Sequence, residues 1–310
     1  MKKRIEGLVV RVTGKEIWVQ TDGGMIPCLL RGRFRRQRAE FRITAGDRVE
    51  VSPPASPGSP GAVEAVRPRR SWLSRFAGGR EAAERVIVAN VDLLFVIESI
   101  RSPGLSLPFL DRVLVSAECG HIEARICVNK VDLVDERREV SEISSLYAPL
   151  GYPVVPTSAK TGEGLDVVEG LIEQGIYAFV GRSGVGKSSL LNQIEPDLDL
   201  PVGSVAEKTG RGRHTTTYSQ LFPLKGGHVA DTPGMQTFGY PGTSAQDLPG
   251  CFPELRNRGR GCRFQPCTHS HEPDCDVKEA VEAGEIAPSR YQSYLSMLAE
   301  VEAREKNRYD

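Results

Sequence analysis

The stretch IYAFVGRSGVGKSSLLNQI, residues 176–194, decides the fold. An apolar run leads into Gly181-Arg182-Ser183-Gly184-Val185-Gly186-Lys187-Ser188, which fits GxxxxGKS, and the helix-prone SSLLNQI follows. Strand, glycine-rich turn and helix in that order form a phosphate-binding loop. Its glycines let backbone amides turn inward on phosphate, Lys187 reaches the β- and γ-phosphoryl oxygens, and the Ser188 hydroxyl faces Mg²⁺. A turn that merely joins a strand to a helix has no need of Lys-Ser at the helix start. The nucleotide-contacting residues expected here run from Gly181 to Ser189, with Lys187 also assigned to catalysis.

A phosphate loop alone does not separate ATP from GTP, so base recognition has to be found elsewhere. Upstream, Asn129-Lys130-Val131-Asp132 closes the apolar run ARICV. This tetrapeptide resembles the guanine-specificity motif NKxD. The Asp132 carboxylate can accept two hydrogen bonds from guanine N1-H and the 2-amino group, which adenine lacks, and Asn129 can serve N7 and O6. A buried carboxylate left unpaired by the wrong base discriminates strongly. The next apolar run ends in Thr157-Ser158-Ala159-Lys160, similar to the SAK motif whose backbone amide contacts the guanine oxygen. Either tetrapeptide alone is a weak signal. Two at consecutive strand ends beside a phosphate loop are a strong one, and they place Asn129, Lys130, Asp132, Ser158 and Ala159 at the base.

Downstream, Asp231-Thr232-Pro233-Gly234 follows HVA and fits DxxG. There Asp231 is expected to hold a Mg²⁺-bound water and the Gly234 amide to sense the γ-phosphate. Between the two motifs lies GRGRHTTT, residues 210–217, from which Thr216 or Thr217 completes the Mg²⁺ shell with Ser188 and Asp231. The residue after DxxG is Met235 rather than a water-orienting glutamine, so low intrinsic turnover is expected. His214 is the candidate to position the attacking water instead.

From about residue 86 to 237, buried apolar strands alternate with amphipathic helices: VDLLFVIES, a helix over 110–119, ARICVNK, a helix over 140–150, YPVVPTSA, a helix over 165–174, IYAFVG and HVADTPG. That alternation implies a parallel sheet covered on both faces. The motif order is NKxD, SAK, phosphate loop, threonine loop, DxxG, whereas an ordinary GTPase begins with its phosphate loop. A circular permutation accounts for this, with residues 165–175 joining the old termini and the new ends falling before VDLLFVIES and after DxxG. The loop that feels the γ-phosphate then runs directly into the C-terminal segment.

Seven cysteines in a chain with no secretory core turn attention from disulfides to metal binding. Cys262-x4-Cys267-x-His269-x5-Cys275 supplies three thiolates and one imidazole, a closed structural zinc set with no open coordination position. His271 and Cys251 are rivals for these places. Arg256, Arg258, Arg260 and Arg263 lie alongside and suit RNA phosphates. The chain ends in a polar helix-prone run, 288–307.

Net charge is zero, but residues 1–75 carry 16 Lys and Arg against 7 Asp and Glu, leaving the remainder with the opposite surplus. A basic module on a mildly acidic one is the pattern of a nucleic-acid-binding arm on an enzyme. Short alternating runs at 7–12, 17–21, 25–30 and 47–51 predict a small barrel of the OB-fold or S1-like kind. Arg31, Arg33, Arg35, Arg36 and Arg38, with Phe34 among them, offer phosphate contacts and a stacking surface. Trp18 and Phe41 fit a core as well as a stacking platform. SPPASPGSPG, residues 52–61, reads as a loop, and 67–80 as a basic connector. No apolar run is long enough to cross a bilayer, so a cytoplasmic location is expected.

Barrel, permuted GTPase motifs and Cys-x4-Cys-x-His-x5-Cys together resemble the RsgA (YjeQ) family of ribosome small-subunit-dependent GTPases over nearly the whole chain. The resemblance implies a multidomain α/β protein: an OB-fold RNA-binding barrel over 1–70, a circularly permuted GTPase domain over 71–245, and a zinc-binding, mainly helical domain over 246–310. It also implies a late maturation factor, with GTP or GDP, the 30S subunit and its 16S rRNA as partners. Its weak GTPase would be stimulated by that subunit, and hydrolysis would release it. One structural Zn²⁺, Mg²⁺ with GTP, a monomer and no DNA or membrane partner complete the expectation.

Overall fold

The structure is a computed structural model that describes residues 4–14, 16–30, 42–54, 56, 58–76, 84–200, 220–230, 238–240 and 243–306. Strands β1 (Ile5–Thr13), β2 (Glu16–Thr21), β3 (Gly24–Leu30), β4 (Arg48–Ser52) and β5 (Gly61–Val66) close a barrel in the order β1-β2-β3-β5-β4. Pairing of β4 with β1 completes the circuit, and β3 with β5 is the parallel step. Among the described residues this is a five-stranded barrel of OB type. Alternate residues Val9, Ile17, Val19, Cys28, Val49, Val51 and Val63 fill its interior, as the period of two requires. The alternation read up to residue 51 misses β5, which begins directly after the Pro/Gly-rich loop and without which β3 and β4 would be open edges.

The segment read as a basic connector is in part a strand. β6 (Trp72–Phe76) pairs antiparallel with β7 (Glu84–Ala89), and Leu73 and Ser74 are fully buried. This ribbon carries the barrel on the parallel sheet: Ala45 bridges Val88, and Val10, Leu73 and Val88 join the core beneath. At the junction Gly46 has φ +90°, and a Cβ there would lie 2.0 Å from the Ala89 carbonyl oxygen, so only glycine fits.

Among the described residues the central sheet has six strands: β8 (Leu93–Ser99), β9 (Glu123–Asn129), β10 (Val154–Pro156), β11 (Ile176–Val180), β12 (Leu221–Leu224) and β13 (Gly227–Ala230). Their spatial order is β10-β9-β8-β11-β13-β12, parallel except for edge strand β12. All seven residues of β8 are buried, the signature of a strand covered on both faces. Leu94 and Val96 face α1 (Leu107–Cys119) and α2 (Arg138–Tyr147), whereas Leu93, Phe95 and Ile97 face α3 (Leu165–Gly170) and α4 (Lys187–Ile194). The helix expected over 165–174 stops at Gly170, and a turn completes the joint into β11.

Helices α5 (Pro253–Arg258), α6 (Asp276–Glu282) and α7 (Pro288–Lys306) build the C-terminal part around Phe252, Leu255, Val277, Tyr294, Leu298 and Val301. Helix α7 lies along α1. Arg290 of α7, 1% exposed, donates to Asp111 of α1 and Glu254 of α5, each at 2.7 Å. Reading the cysteines as metal ligands leaves out one bond, because Cys119 at the end of α1 is disulfide-linked to Cys251, with Cα atoms 5.8 Å apart.

Candidate functional site

Parallel β8, β9, β10 and β11 bring their C-terminal ends to one edge of the sheet, where a ligand meets loops rather than side chains of the core. The phosphate loop leaves β11 there and enters α4. Gly184 (φ +83°) and Gly186 (φ +94°) hold the left-handed turns that bend it, and Gly186 forms the N-cap of α4. A Cβ on Gly186 would also lie 2.3 Å from Asn129 Nδ2, so glycine is required there twice over. Val185 is buried and anchors the loop, while Ser183 and Gly184 face solvent.

Asn129, 1% exposed at the end of β9, is the hub of the edge. Its Nδ2 donates to the Val185 carbonyl at 2.8 Å, and its Oδ1 accepts from the Ala159 amide at 3.3 Å and the Thr157 hydroxyl at 3.4 Å. One side chain therefore ties the phosphate loop to the loop after β10. Lys130, in the left-handed region at φ 63°, extends across the phosphate loop and donates to the Gly184 carbonyl at 2.6 Å and to the Ser102 carbonyl. Asp132 follows in a short 3₁₀ turn, where its Oδ1 accepts from the Ser158 hydroxyl at 2.6 Å. Lys160 lies 3.9 Å from its Oδ2.

These residues enclose a cleft of about 350 Å³ lined by Asn129, Lys130, Asp132, Leu133, Ala159, Lys160, Gly186 and Ser189. A planar ring entering it meets a carboxylate at one end and the start of α4 at the other, and the exposed Leu133 supplies an apolar surface. The cleft brings the two tetrapeptides Asn129–Asp132 and Thr157–Lys160 and the glycine-rich loop before α4 into one site. Lys187 and Ser188 open α4 at its mouth. His214, Thr216, Thr217, Asp231 and Gly234 lie outside the described residues, as do Met235, Phe41 and the cluster Arg31, Arg33, Phe34, Arg35, Arg36 and Arg38.

GxxxxGKS assigns no role to the side chain of its second residue. Arg182, the second residue of the phosphate loop, turns its guanidinium away from the cleft onto Glu98, an acidic residue inside the apolar run of β8. A carboxylate in a buried strand needs a partner, and that was the available signal.

At the C-terminal part, Cys262, Cys267, His269 and Cys275 are all buried, and their ligand atoms lie within 4.8 Å of one another. Cys262 and Cys275 sulfurs are 3.8 Å apart, Cys267 and Cys275 sulfurs 3.9 Å, and His269 Nδ1 is 3.5 and 3.4 Å from the Cys262 and Cys275 sulfurs. A tetrahedral ion with Zn–S of about 2.3 Å sets sulfurs about 3.8 Å apart, so the spacing fits zinc. The rivals fall away: Cys251 is in the disulfide, and His271 is exposed, its Nδ1 on the Ser270 hydroxyl at 2.9 Å. The cluster is closed by α7, whose Tyr291 and Tyr294 hydroxyls donate to the His269 and Thr268 carbonyls.

Compared with known proteins, residues 66–241 match the family described as RsgA GTPase. This chain belongs to the RsgA GTPase family. Among the relatives, the protein named small ribosomal subunit biogenesis GTPase RsgA of Moorella thermoacetica is 43% identical, over 98% of this chain and 99% of its own. Its namesake in Thermotoga petrophila is 41% identical over 99% of this chain and 100% of its own. Of solved structures, YjeQ from Thermotoga maritima superposes with a TM-score of 0.78 at 37% identity, covering 96% of this chain and 99% of that one. YloQ, described as a circularly permuted GTPase, gives 0.74 at 28% identity over 97% and 96%. The RsgA-family architecture is thus continuous here from barrel to cysteine-histidine cluster.

Proposed function

We propose that this chain binds GTP in the cleft between the β9 and β10 loops and the phosphate loop, hydrolyses it, and uses the cycle to dock on and leave the small ribosomal subunit late in its maturation. The observation that carries the reading is the joint cleft, in which Asp132 and Asn129 face the same space as Gly186 and Ser189. The relatives' names supply the ribosomal assignment. Guanine is held by Asn129, Asp132 and the Ala159 amide, with Lys130 and Ser158 in support. Backbone amides of residues 181–189 cradle the phosphates and Lys187 neutralises charge on the β- and γ-oxygens.

Ser188, Asp231 and Thr216 or Thr217 would hold Mg²⁺, which supplies charge neutralisation on the transferring phosphoryl group. His214 orients the attacking water and Gly234 reads the γ-phosphate. With Met235 in place of a glutamine, turnover is slow until the subunit docks. The chain acts as a cytoplasmic monomer of three parts, 1–70, 71–245 and 246–310. The first and last touch 16S rRNA through the basic barrel and the arginines beside a structural Zn²⁺. In support of the location, no described helix is long and apolar enough to cross a membrane.

Steady-state hydrolysis of GTP and ATP, with and without 30S subunits, 50S subunits and free RNA, tests the reading. It predicts GTP turnover raised strongly by 30S alone. Equal stimulation by free RNA, or none, contradicts the ribosomal part, and equal use of ATP contradicts the nucleotide assignment.

A further inference from the structure

Glu98 lies one residue from the C-terminal end of β8 with its carboxylate fully buried. The neighbouring strand carries the start of the phosphate loop so close that a Cβ on Gly181 would sit 2.4 Å from the Ile97 carbonyl oxygen. Three donors converge on Glu98: Arg182 Nε at 3.1 Å to one oxygen, and Arg182 Nη2 at 2.7 Å and the Ser106 amide at 3.2 Å to the other. The two-pronged guanidinium contact fixes orientation as well as charge. Arg182 Nη2 also donates to the Gly104 carbonyl, and the guanidinium rests against the Phe109 ring, 6.0 Å from its centre. One side chain thus pins the phosphate loop to β8, to the 100–105 loop and to the first turn of α1.

GxxxxGKS places no demand on its second side chain, so the motif itself does not account for Arg182. Burial pushes the Glu98 carboxyl up while the Arg182 guanidinium pulls it back, consistent with a carboxylate that depends on this arginine. A phosphate loop works by presenting amides already turned inward, and a loop that must first find that shape binds more weakly by the fraction of time it spends there. A bond from the loop's second residue to a fully buried anchor limits that search.

We propose that Arg182 is a positioning residue: its ion pair with Glu98 holds the phosphate loop in the polyphosphate-binding shape before the nucleotide arrives. The role rests on the nucleotide reading above and adds to it a residue whose side chain never reaches the phosphates. Once nucleotide is bound, the phosphates themselves hold the loop. Loss of the pair therefore weakens binding more than chemistry, and it leaves the choice between guanine and adenine, made at Asn129 and Asp132, as it was.

The test is a double-mutant cycle on the full chain with Arg182→Met, Glu98→Gln and both, reading GDP and ADP dissociation constants, kcat and KM for GTP, and thermal melting. If the loop's competent population falls to about a tenth, each single change raises the GDP dissociation constant and the GTP KM about tenfold. Then kcat stays within about twofold, and the double variant is no weaker than Arg182→Met. Arg182→Lys, which keeps one charged contact, falls between; it also carries the test should Arg182→Met fail to fold. GDP affinity within about twofold of the parent, a loss confined to kcat, or single effects that multiply in the double variant would each overturn the role. A parent chain that bound neither GDP nor GTP would instead sink the nucleotide reading itself.

Discussion

The Lys130 ammonium donates to the Gly184 carbonyl at 2.6 Å, bridging the loop after β9 to the phosphate loop. The two sides of the cleft, proposed above to hold the base and the phosphates, are thereby set at a fixed spacing by the protein itself. Hydrogen bonds from a charged donor are worth about 1.5–3 kcal/mol. Lys130→Met keeps the aliphatic stem and removes the bridge, and GDP affinity measured by fluorescent-nucleotide titration is predicted to fall about ten- to hundredfold. Affinity unchanged within about twofold would show that the spacing does not depend on Lys130.

Arg290 does the corresponding work between α1 and the C-terminal helices. Its guanidinium is buried between Asp111 and Glu254 and lies 4.9 Å from the Phe252 ring centre. Arg290→Met leaves two buried carboxylates without their counter-charge, an error that costs about 3–5 kcal/mol. Urea unfolding should show that loss, and proteolysis of the folded protein should cut first around α7. A variant as stable as the parent would mean that α7 docks by its apolar face alone.

The Cys262, Cys267, His269 and Cys275 set predicts one zinc per chain, released as the three thiolates are titrated with a mercurial. Cys275→Ser is expected to lose the metal and, with it, hydrogen-exchange protection in α6 and α7, because Tyr291 and Tyr294 hang on the ligand loop. Retention of protection without zinc would make the cluster dispensable for folding.

His228 carries a pH dependence at the other junction. Its Nε2 meets Gln20 Oε1 of the barrel at 2.9 Å, and burial holds the imidazole below its usual 6.5. The unfolded chain therefore takes up the proton first as pH falls through 6.5, and stability contributed by neutral His228 is lost below that value. Between pH 7.5 and 5.5 the melting temperature should drop further for the parent than for His228→Gln. Parallel curves would contradict this.

Most of the central domain was legible because its signals are short and local. A glycine-rich turn before Lys187, and tetrapeptides at the ends of β9 and β10, depend on residues adjacent in sequence. So does the Cys262–Cys275 spacing. What escaped depends on distance. Strand β5 pairs with β3 over a long separation, Cys28 opposite Gly61, and β6 reads as a basic connector until Leu73 is seen under the barrel. Cys119 and Cys251 are 132 residues apart and meet only once α1 packs against the C-terminal part. Glu98 showed its isolation in an apolar strand, but nothing in the sequence names Arg182 as its partner.

The most direct measurement of the central claim compares GDP, ADP and XDP binding by the parent and by Asp132→Asn. On the proposed reading the carboxylate accepts from two guanine donors, whereas an amide there would offer a donor to the 2-oxo group of xanthine. The parent should prefer GDP over ADP by about 10⁴-fold or more, as sites built around a buried hydrogen-bonding group do. Asp132→Asn should lose GDP affinity and gain XDP. A parent chain that binds ADP as tightly as GDP, or an Asp132→Asn variant that keeps its GDP affinity, would contradict guanine recognition in this cleft.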